Sequence, residues 1–230
     1  MKVSPDSLEI LKNFSSINQS ILFTTNKILG TIAESKNVLA QANITEVFDK
    51  DFGIFNLNEF IATLGLFNDP SFELKDSHLA IKDDVKESKS SCKYFFADTS
   101  MIPEMPNTEK ILTAVKKAEI KFELTENNFA SLLKAAGTLQ SKCLVVESDG
   151  KKILFSAADP ENSTANTFSI EVAKGNGSKF KMIFKAQNLS MLLKGSYEVK
   201  ISKAKISQFK NTSKDLTYWV ALEDSSKYQE

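Results

Sequence analysis

Apolar positions along this chain follow two rhythms, and the order in which those rhythms alternate occurs twice. Leu8, Leu11, Phe14 and Ile17 fall three residues apart, which predicts an amphipathic helix over residues 5–17 with Ser4 or Asp6 as its cap. Residues 21–43 hold short apolar runs broken by Asn26, Gly30 and Lys36-Asn37, the pattern of a strand meander. Residues 52–55 predict a further strand and residues 56–67 a second helix, with Leu57, Phe60, Ile61 and Leu64 facing inward. Asn68-Asp69-Pro70 stops that helix, and strands follow at 72–74, 79–81 and 94–96. A second set begins with a strand at 119–124 and a helix at 125–139. Strands at 144–146, 153–155, 168–172 and 180–184 come next, then a helix at 186–193 and strands at 197–201, 205–209 and 219–222.

The two sets share words as well as rhythm. Ser71-Phe72-Glu73-Leu74-Lys75 returns as Ser196-Tyr197-Glu198-Val199-Lys200, an offset of 196 − 71 = 125. Tyr94-Phe95-Phe96-Ala97 returns as Tyr218-Trp219-Val220-Ala221 at 124, Ile54-Phe55 as Ile183-Phe184 at 129, and Leu11-Lys12 as Leu133-Lys134 at 122. Four segments in one order with a nearly constant offset indicate an internal duplication, each copy large enough to bury its own core. The fold class that follows is α+β: two repeated units, each of two helices packed on antiparallel sheets. The units are residues 1–98 and 116–230, joined by residues 99–115. Two prolines, Pro103 and Pro106, argue against regular structure in that connection. Its apolar residues Met101, Ile102, Pro103 and Met105 either form an exposed surface or pack onto the chain's own sheets.

Composition narrows the classes. The chain is 42% hydrophobic and 25% charged, an ordinary globular profile, and its apolar runs are far short of a membrane span. Residues 1–6 carry no apolar core of a signal peptide, and Cys92 and Cys143 stand alone in strand-like context, so buried reduced thiols in an intracellular protein are expected. Positive and negative side chains balance at 29 each, yet no arginine occurs among them. Arginine reads guanine through two hydrogen bonds, whereas lysine is a compact charge suited to phosphate. Any contact with nucleic acid should therefore be with its backbone.

Catalytic readings fail on inventory. His78 is the only histidine, which removes histidine-based zinc sites, and as a strand-end residue it makes a poor triad base. Asp51-Phe52-Gly53 matches the metal tripeptide of kinases without any accompanying kinase motif. Asp49-Lys50-Asp51 starts like a calcium loop but puts Phe52 where an oxygen ligand belongs. Gly175-Asn176-Gly177-Ser178-Lys179 lacks phosphate-loop spacing and predicts a hairpin turn. No metal or cofactor is expected. The sharper signal lies on the helices, where Lys12 and Lys134 occupy equivalent places and each points away from the apolar face. Lys194 projects similarly near the end of the 186–193 helix.

Collinear segments resemble one family. Lys2-Val3-Ser4 through Leu11-Lys12-Asn13-Phe14 and Ile17-Asn18, then Ala42-Asn43-Ile44, Asn56-Leu57-Asn58, Asn68-Asp69 and Tyr218-Trp219-Val220-Ala221-Leu222-Glu223 are similar to the sliding clamps of T-even-type bacteriophages over nearly the whole chain. The resemblance implies a non-enzymatic DNA polymerase processivity factor acting in the cytoplasm of the infected host. It implies a homotrimer closed head-to-tail around double-stranded DNA, opened by an ATP-dependent clamp loader, binding the phage DNA polymerase through a peptide and supporting late-transcription factors. Carried over by position, Lys12 and Lys134 would face DNA, with Lys2 and Lys194 as further channel lysines. A second basic residue is common one turn after Lys134 in the family, where this chain has Ala136-Gly137-Thr138. A partner-peptide pocket would involve Met101, Ile102, Pro103 and Met105 with Val220 and Leu222. A duplicated β-rich virion structural protein is the competing reading, and an enzyme built at a subunit boundary is a weaker one.

Overall fold

The structure, a computed structural model, describes residues 2–85, 88–162 and 164–229, and the chain forms two compact units, Met1–Pro106 and Asn107–Glu230. The first unit runs α1 (Pro5–Phe14), β1 (Ile21–Phe23), β2 (Ile28–Ile32), β3 (Val38–Asn43), β4 (Phe52–Ile54), α2 (Leu57–Leu64), β5 (Pro70–Leu74), β6 (His78–Asp83) and β7 (Ser91–Phe95). Here β1 pairs with β4, β2 with β3, and β5, β6 and β7 form an antiparallel meander. The second unit runs α3 (Glu109–Lys116), β8 (Ile120–Leu124), α4 (Glu126–Thr138), β9 (Cys143–Asp149), β10 (Lys152–Ala157), β11 (Phe168–Lys174), β12 (Lys179–Lys185), α5 (Ala186–Ser190), β13 (Tyr197–Ser202), β14 (Ile206–Asn211), β15 (Leu216–Ala221) and β16 (Lys227–Gln229). One sheet has the order β11-β10-β9-β12-β16, and in the other β8, β13, β14 and β15 pair in that order.

The repeat words sit on equivalent strands. Ser71–Leu74 lies in β5 and Tyr197–Lys200 in β13, and each strand opens a three-stranded antiparallel meander. The starts of α2 and α5 are tied to equivalent places, since Leu57 N–H donates to the Gln19 carbonyl and Ala186 N–H to that of Lys142. Cores are aromatic in both. Phe23 stacks on Phe52 at 4.8 Å between centroids, and Tyr197 meets Phe129 edge-on at 5.6 Å.

Several expectations need correction. α1 stops at Phe14 and not at residue 17, because the Ser15 and Ser16 hydroxyls turn back onto the Lys12 and Asn13 carbonyls. Its buried face is Ser7, Ile10, Leu11 and Phe14, with Leu8 only half-buried. The connection is not irregular: Thr99–Met101 forms a 3-10 turn and Glu109–Lys116 a helix. α5 is five residues long, which leaves Lys194 beyond it. The glycine-rich 175–178 segment is no hairpin, for β11 and β12 are separated in the sheet by β10 and β9. It crosses over the β9–β10 turn, where Gly175 N–H donates to the Lys151 carbonyl and Gly177 N–H to that of Gly150. A Cβ on Gly175 would lie 2.4 Å from the Gly150 carbonyl oxygen, so only glycine permits this stacking. Cys92 and Cys143 are free thiols but half-buried, with burial and then the Glu223, Asp159 and Glu161 carboxylates raising the Cys143 pKa.

Candidate nucleic-acid interface

α1 and α4, equivalent helices of the duplication, share a construction. Ser4 caps α1 by accepting the Ser7 N–H at 3.2 Å, and Thr125 caps α4 by accepting the Asn128 N–H at 3.3 Å. Pinned at one end, each helix buries a stripe, Ile10, Leu11 and Phe14 in α1 and Phe129, Leu132 and Ala136 in α4. That rotation leaves Lys12 and Lys134 exposed, and neither is engaged in an ion pair among the described residues. α1 also carries Asp6 and Glu9, and α4 carries Glu126, near their positive N-terminal ends. Each helix thus presents one lysine outward on a face of low net charge.

The other two proposed channel lysines are placed differently. Lys2 Nζ lies 2.5 Å from Asp69 and 3.1 Å from Asp84, and these hydrogen bonds, Asp69 first, raise its pKa. Its charge is already answered by two carboxylates. Lys194 is exposed in a bend after α5, next to Gly195 (φ +155°), where a Cβ would lie 2.6 Å from the Asn211 amide nitrogen.

The residues proposed for a partner peptide are mostly interior. Ile102 is 6% exposed and seats its Cδ1 where a Cβ on Gly53 would be 2.3 Å away. Met105 fills the space beside Gly30 in the same fashion, at 2.7 Å. Two glycines of the first unit are sockets for the connecting segment. Met101, by contrast, is 63% exposed, and Pro103 is exposed beside it. In the second unit Val220 and Leu222 are buried, Val220 under the Ser207 hydroxyl that donates to its carbonyl.

A profile of the DNA polymerase processivity factor family matches residues 5–102. The chain is similar to curated proteins named sliding clamp from Vibrio phage KVP40 (26% identity, 97% of this chain and 99% of that one), Escherichia phage RB69 (28%, 99% of both) and Enterobacteria phage T4 (29%, 99% of both). Together these matches support a sliding clamp of the T-even phage type. Its fold is that of cellular clamps as well. The beta clamp of H. pylori in complex with diflunisal superposes with a TM-score of 0.70 at 15% identity, over 97% of this chain and 65% of that one. The PCNA2-PCNA3 complex of Sulfolobus tokodaii gives 0.66 at 12% identity, over 96% and 98%.

Sliding clamps of this kind are non-enzymatic scaffolds serving replication, so the sparse catalytic inventory of the chain has its explanation in its class. Among the described residues no three histidine, cysteine or acidic side chains converge as metal ligands, and no helix is long and apolar enough to cross a membrane. His78 opens β6, half-buried, its ring 5.5 Å from that of Phe95. Sequence reasoning passed over one charged feature of the sliding-clamp fold here: Lys151, Lys152, Lys174 and Lys179, which strand pairing gathers at one end of the β11-β10-β9-β12 sheet.

Proposed function

We propose that the chain encircles duplex DNA as a head-to-tail homotrimer and tethers the phage DNA polymerase for processive synthesis in the infected host's cytoplasm. The observation that carries this reading is the pairing of Lys12 with Lys134, equivalent and unengaged on the equivalent helices of a duplicated fold. Three copies of a two-unit chain repeat that lysine six times around a closed circle. Sparse point charges attract phosphates without holding any one of them, which suits a protein that must move along DNA. Enclosure then supplies the persistence that adhesion would otherwise need. Head-to-tail closure is served by strand edges: β7 ends the first unit's meander, and β11 ends the five-stranded sheet of the second. Lys2, held by Asp69 and Asp84, and Lys194 in its bend take secondary places in the channel.

An ATP-dependent loader opens the ring, and late-transcription factors use the same tether as the polymerase. For a partner peptide the exposed Met101 and Pro103 are the contact residues, while Ile102 and Met105 anchor their segment to the first unit; Val220 and Leu222, buried in the second unit, serve there as strand core. Native mass spectrometry should give a discrete trimer. Loaded protein should remain on nicked circular DNA and be lost from the same DNA once linearised. Equal loss from both forms would refute encirclement, and a monomer at micromolar concentration would refute the ring. A virion structural protein would instead form large assemblies and show no dependence on DNA topology.

A further inference from the structure

We infer that the second unit carries a second phosphate-binding surface, separate from the helix lysines, at the turn end of its five-stranded sheet. Strand register builds it. Lys152 of β10 lies directly opposite Lys174 of β11, and Lys179 of β12 directly opposite Asp149 of β9. Continuing the β9–β10 register from Ser148–Ile153 sets Asp149 beside Lys152, so Lys174, Lys152, Asp149 and Lys179 form one row on one face. Alternation along the strands turns that face away from Ile153, Phe155 and Met182, which are buried. Lys151 joins the row from the β9–β10 turn. The stacked glycines hold the parts together, since the two bonds from Gly175 and Gly177 clamp the 175–178 segment onto that turn.

The charge at this corner is unbalanced. All four lysines are exposed, and no ion pair engages any of them among the described residues. Asp149 is the nearest carboxylate, and its Oδ1 accepts the Lys151 and Lys152 backbone N–H groups at 2.9 and 3.2 Å. Farther along the strands the same face carries Glu147 opposite Lys181, and Glu171 opposite Leu154. Like charges directly across a strand pair work against the sheet. Lys152–Lys174 is therefore a feature that the fold alone does not favour and an external anion would.

The duplication provides an internal control. The equivalent corner of the first unit, the 24–27 turn and the 44–51 connection, has Lys27 and Lys50 against Glu46, Asp49 and Asp51. There Asp51 accepts the Thr25 N–H and Lys50 donates to the Asp76 carbonyl. That corner has three carboxylates to two lysines, so the lysine row is not an inheritance common to both units. Its occupant is a duplex phosphodiester backbone. Four ammonium groups without an arginine suit separate phosphates better than paired carboxylates. The aromatics beside the row, Phe180 and Tyr228, are stacked on each other at 5.9 Å between centroids, an arrangement that leaves no open platform for an unstacked base. Pairing at the β11 edge would consume backbone groups and leave these side chains free.

The inference rests on the chain working on DNA as proposed, and not on its encircling DNA. The test is binding of the full-length protein, without loader, to a fluorescent linear duplex of about 30 base pairs across a salt series. Each phosphate contact contributes about 0.9 to the log–log salt slope. A Lys151→Gln, Lys152→Gln, Lys174→Gln, Lys179→Gln variant should lower that slope by roughly 2–4 and weaken low-salt binding at least about tenfold. Its melting temperature should match or exceed that of the natural protein. An unchanged slope, or a clearly lower melting temperature, would overturn the inference. So would loss of binding to a polyglutamate peptide with duplex binding intact, which would assign the row to an acidic protein segment. The Lys12→Gln, Lys134→Gln variant in the same assay keeps the two readings apart: it tests the helix lysines, while retention on circular DNA tests enclosure.

Discussion

The two units support the starts of their equivalent helices by different chemistry. Behind the Ser4 cap of α1 stands Glu46, 7% exposed, which accepts the Ser4 N–H and the Ser7 hydroxyl, each at 2.5 Å. Behind the Thr125 cap of α4 stands Ser196, whose hydroxyl accepts the Glu126 N–H at 3.0 Å. One unit relies on a buried ion and the other on a neutral hydroxyl. The units differ likewise in how they use glycine. The first keeps Gly30 and Gly53 as sockets for Met105 and Ile102, whereas the second spends Gly150, Gly175 and Gly177 on stacking one turn over another. Duplication has conserved the apolar skeleton and the hydroxyl cap, and divergence has settled on the polar and backbone-limited corners.

The largest effect should come from filling a socket. Gly53→Ala sets a methyl group 2.3 Å from Ile102 Cδ1 and 3.2 Å from the Ala97 carbonyl oxygen, so either the connecting segment leaves or the strand shifts. Overpacking of that kind costs about 3 kcal/mol. Gly137→Ala in α4 meets nothing within 4 Å on an exposed helix face, and should stabilise by about 0.5–1 kcal/mol. Denaturant unfolding of both variants, with proteolysis of residues 99–108 as a local readout, checks the opposite signs. Equal effects would mean that Ile102 is not seated where the structure has it.

A smaller and pH-dependent effect distinguishes the helix starts. Burial pushes the Glu46 carboxyl pKa up, but the hydrogen bonds from Ser4 and Ser7 together outweigh it and hold the pKa below its ordinary value. A lowered folded pKa means that this stabilisation is complete above the unfolded value near about 4.3 and is lost as pH falls through the folded value. Hydrogen-exchange protection at α1, taken relative to the intrinsic rate at each pH, should therefore fall on acidification while that of α4, supported by Ser196, holds. Glu46→Gln should cost about 1–2 kcal/mol at neutral pH and flatten the acid dependence at α1. Retention of the full acid response in that variant would place its origin elsewhere.

How far the sequence spoke can be judged at these same residues. The Ser71–Lys75 and Ser196–Lys200 words located β5 and β13 because a strand's alternation is local, and the outward direction of Lys12 and Lys134 followed from helical phase alone. α3 was hidden by Pro103 and Pro106, which precede it without interrupting it; Ile111, Leu112, Val115 and Ala118 already carry its spacing. Burial of Ile102 was not legible, since a socket depends on a glycine about fifty residues away in sequence and local pattern holds no record of it. The same limit misread residues 175–178. Their composition announces a turn, but strand order alone decides which strands a turn joins, and that order also brings Lys151 and Lys152 to Lys174 and Lys179.

The smallest expected effect is the most direct test of equivalence between the units. Lys12→Gln and Lys134→Gln each remove one exposed charge from a helix face where no partner loses a hydrogen bond, so stability should stay within about 0.5 kcal/mol for either. If both lysines meet phosphate in the same way, each single variant should reduce the salt slope of duplex binding by about 0.9 per chain, and the two reductions should be equal and additive. Lys134 has Ala136 and Gly137 around it, whereas Lys12 shares its helix with Asp6 and Glu9, so the local field differs though the geometry agrees. Unequal slopes would show that divergence has reached the helix face itself. Equal slopes would confine it to the corners, with the lysine pair as the part of the surface that both units have kept.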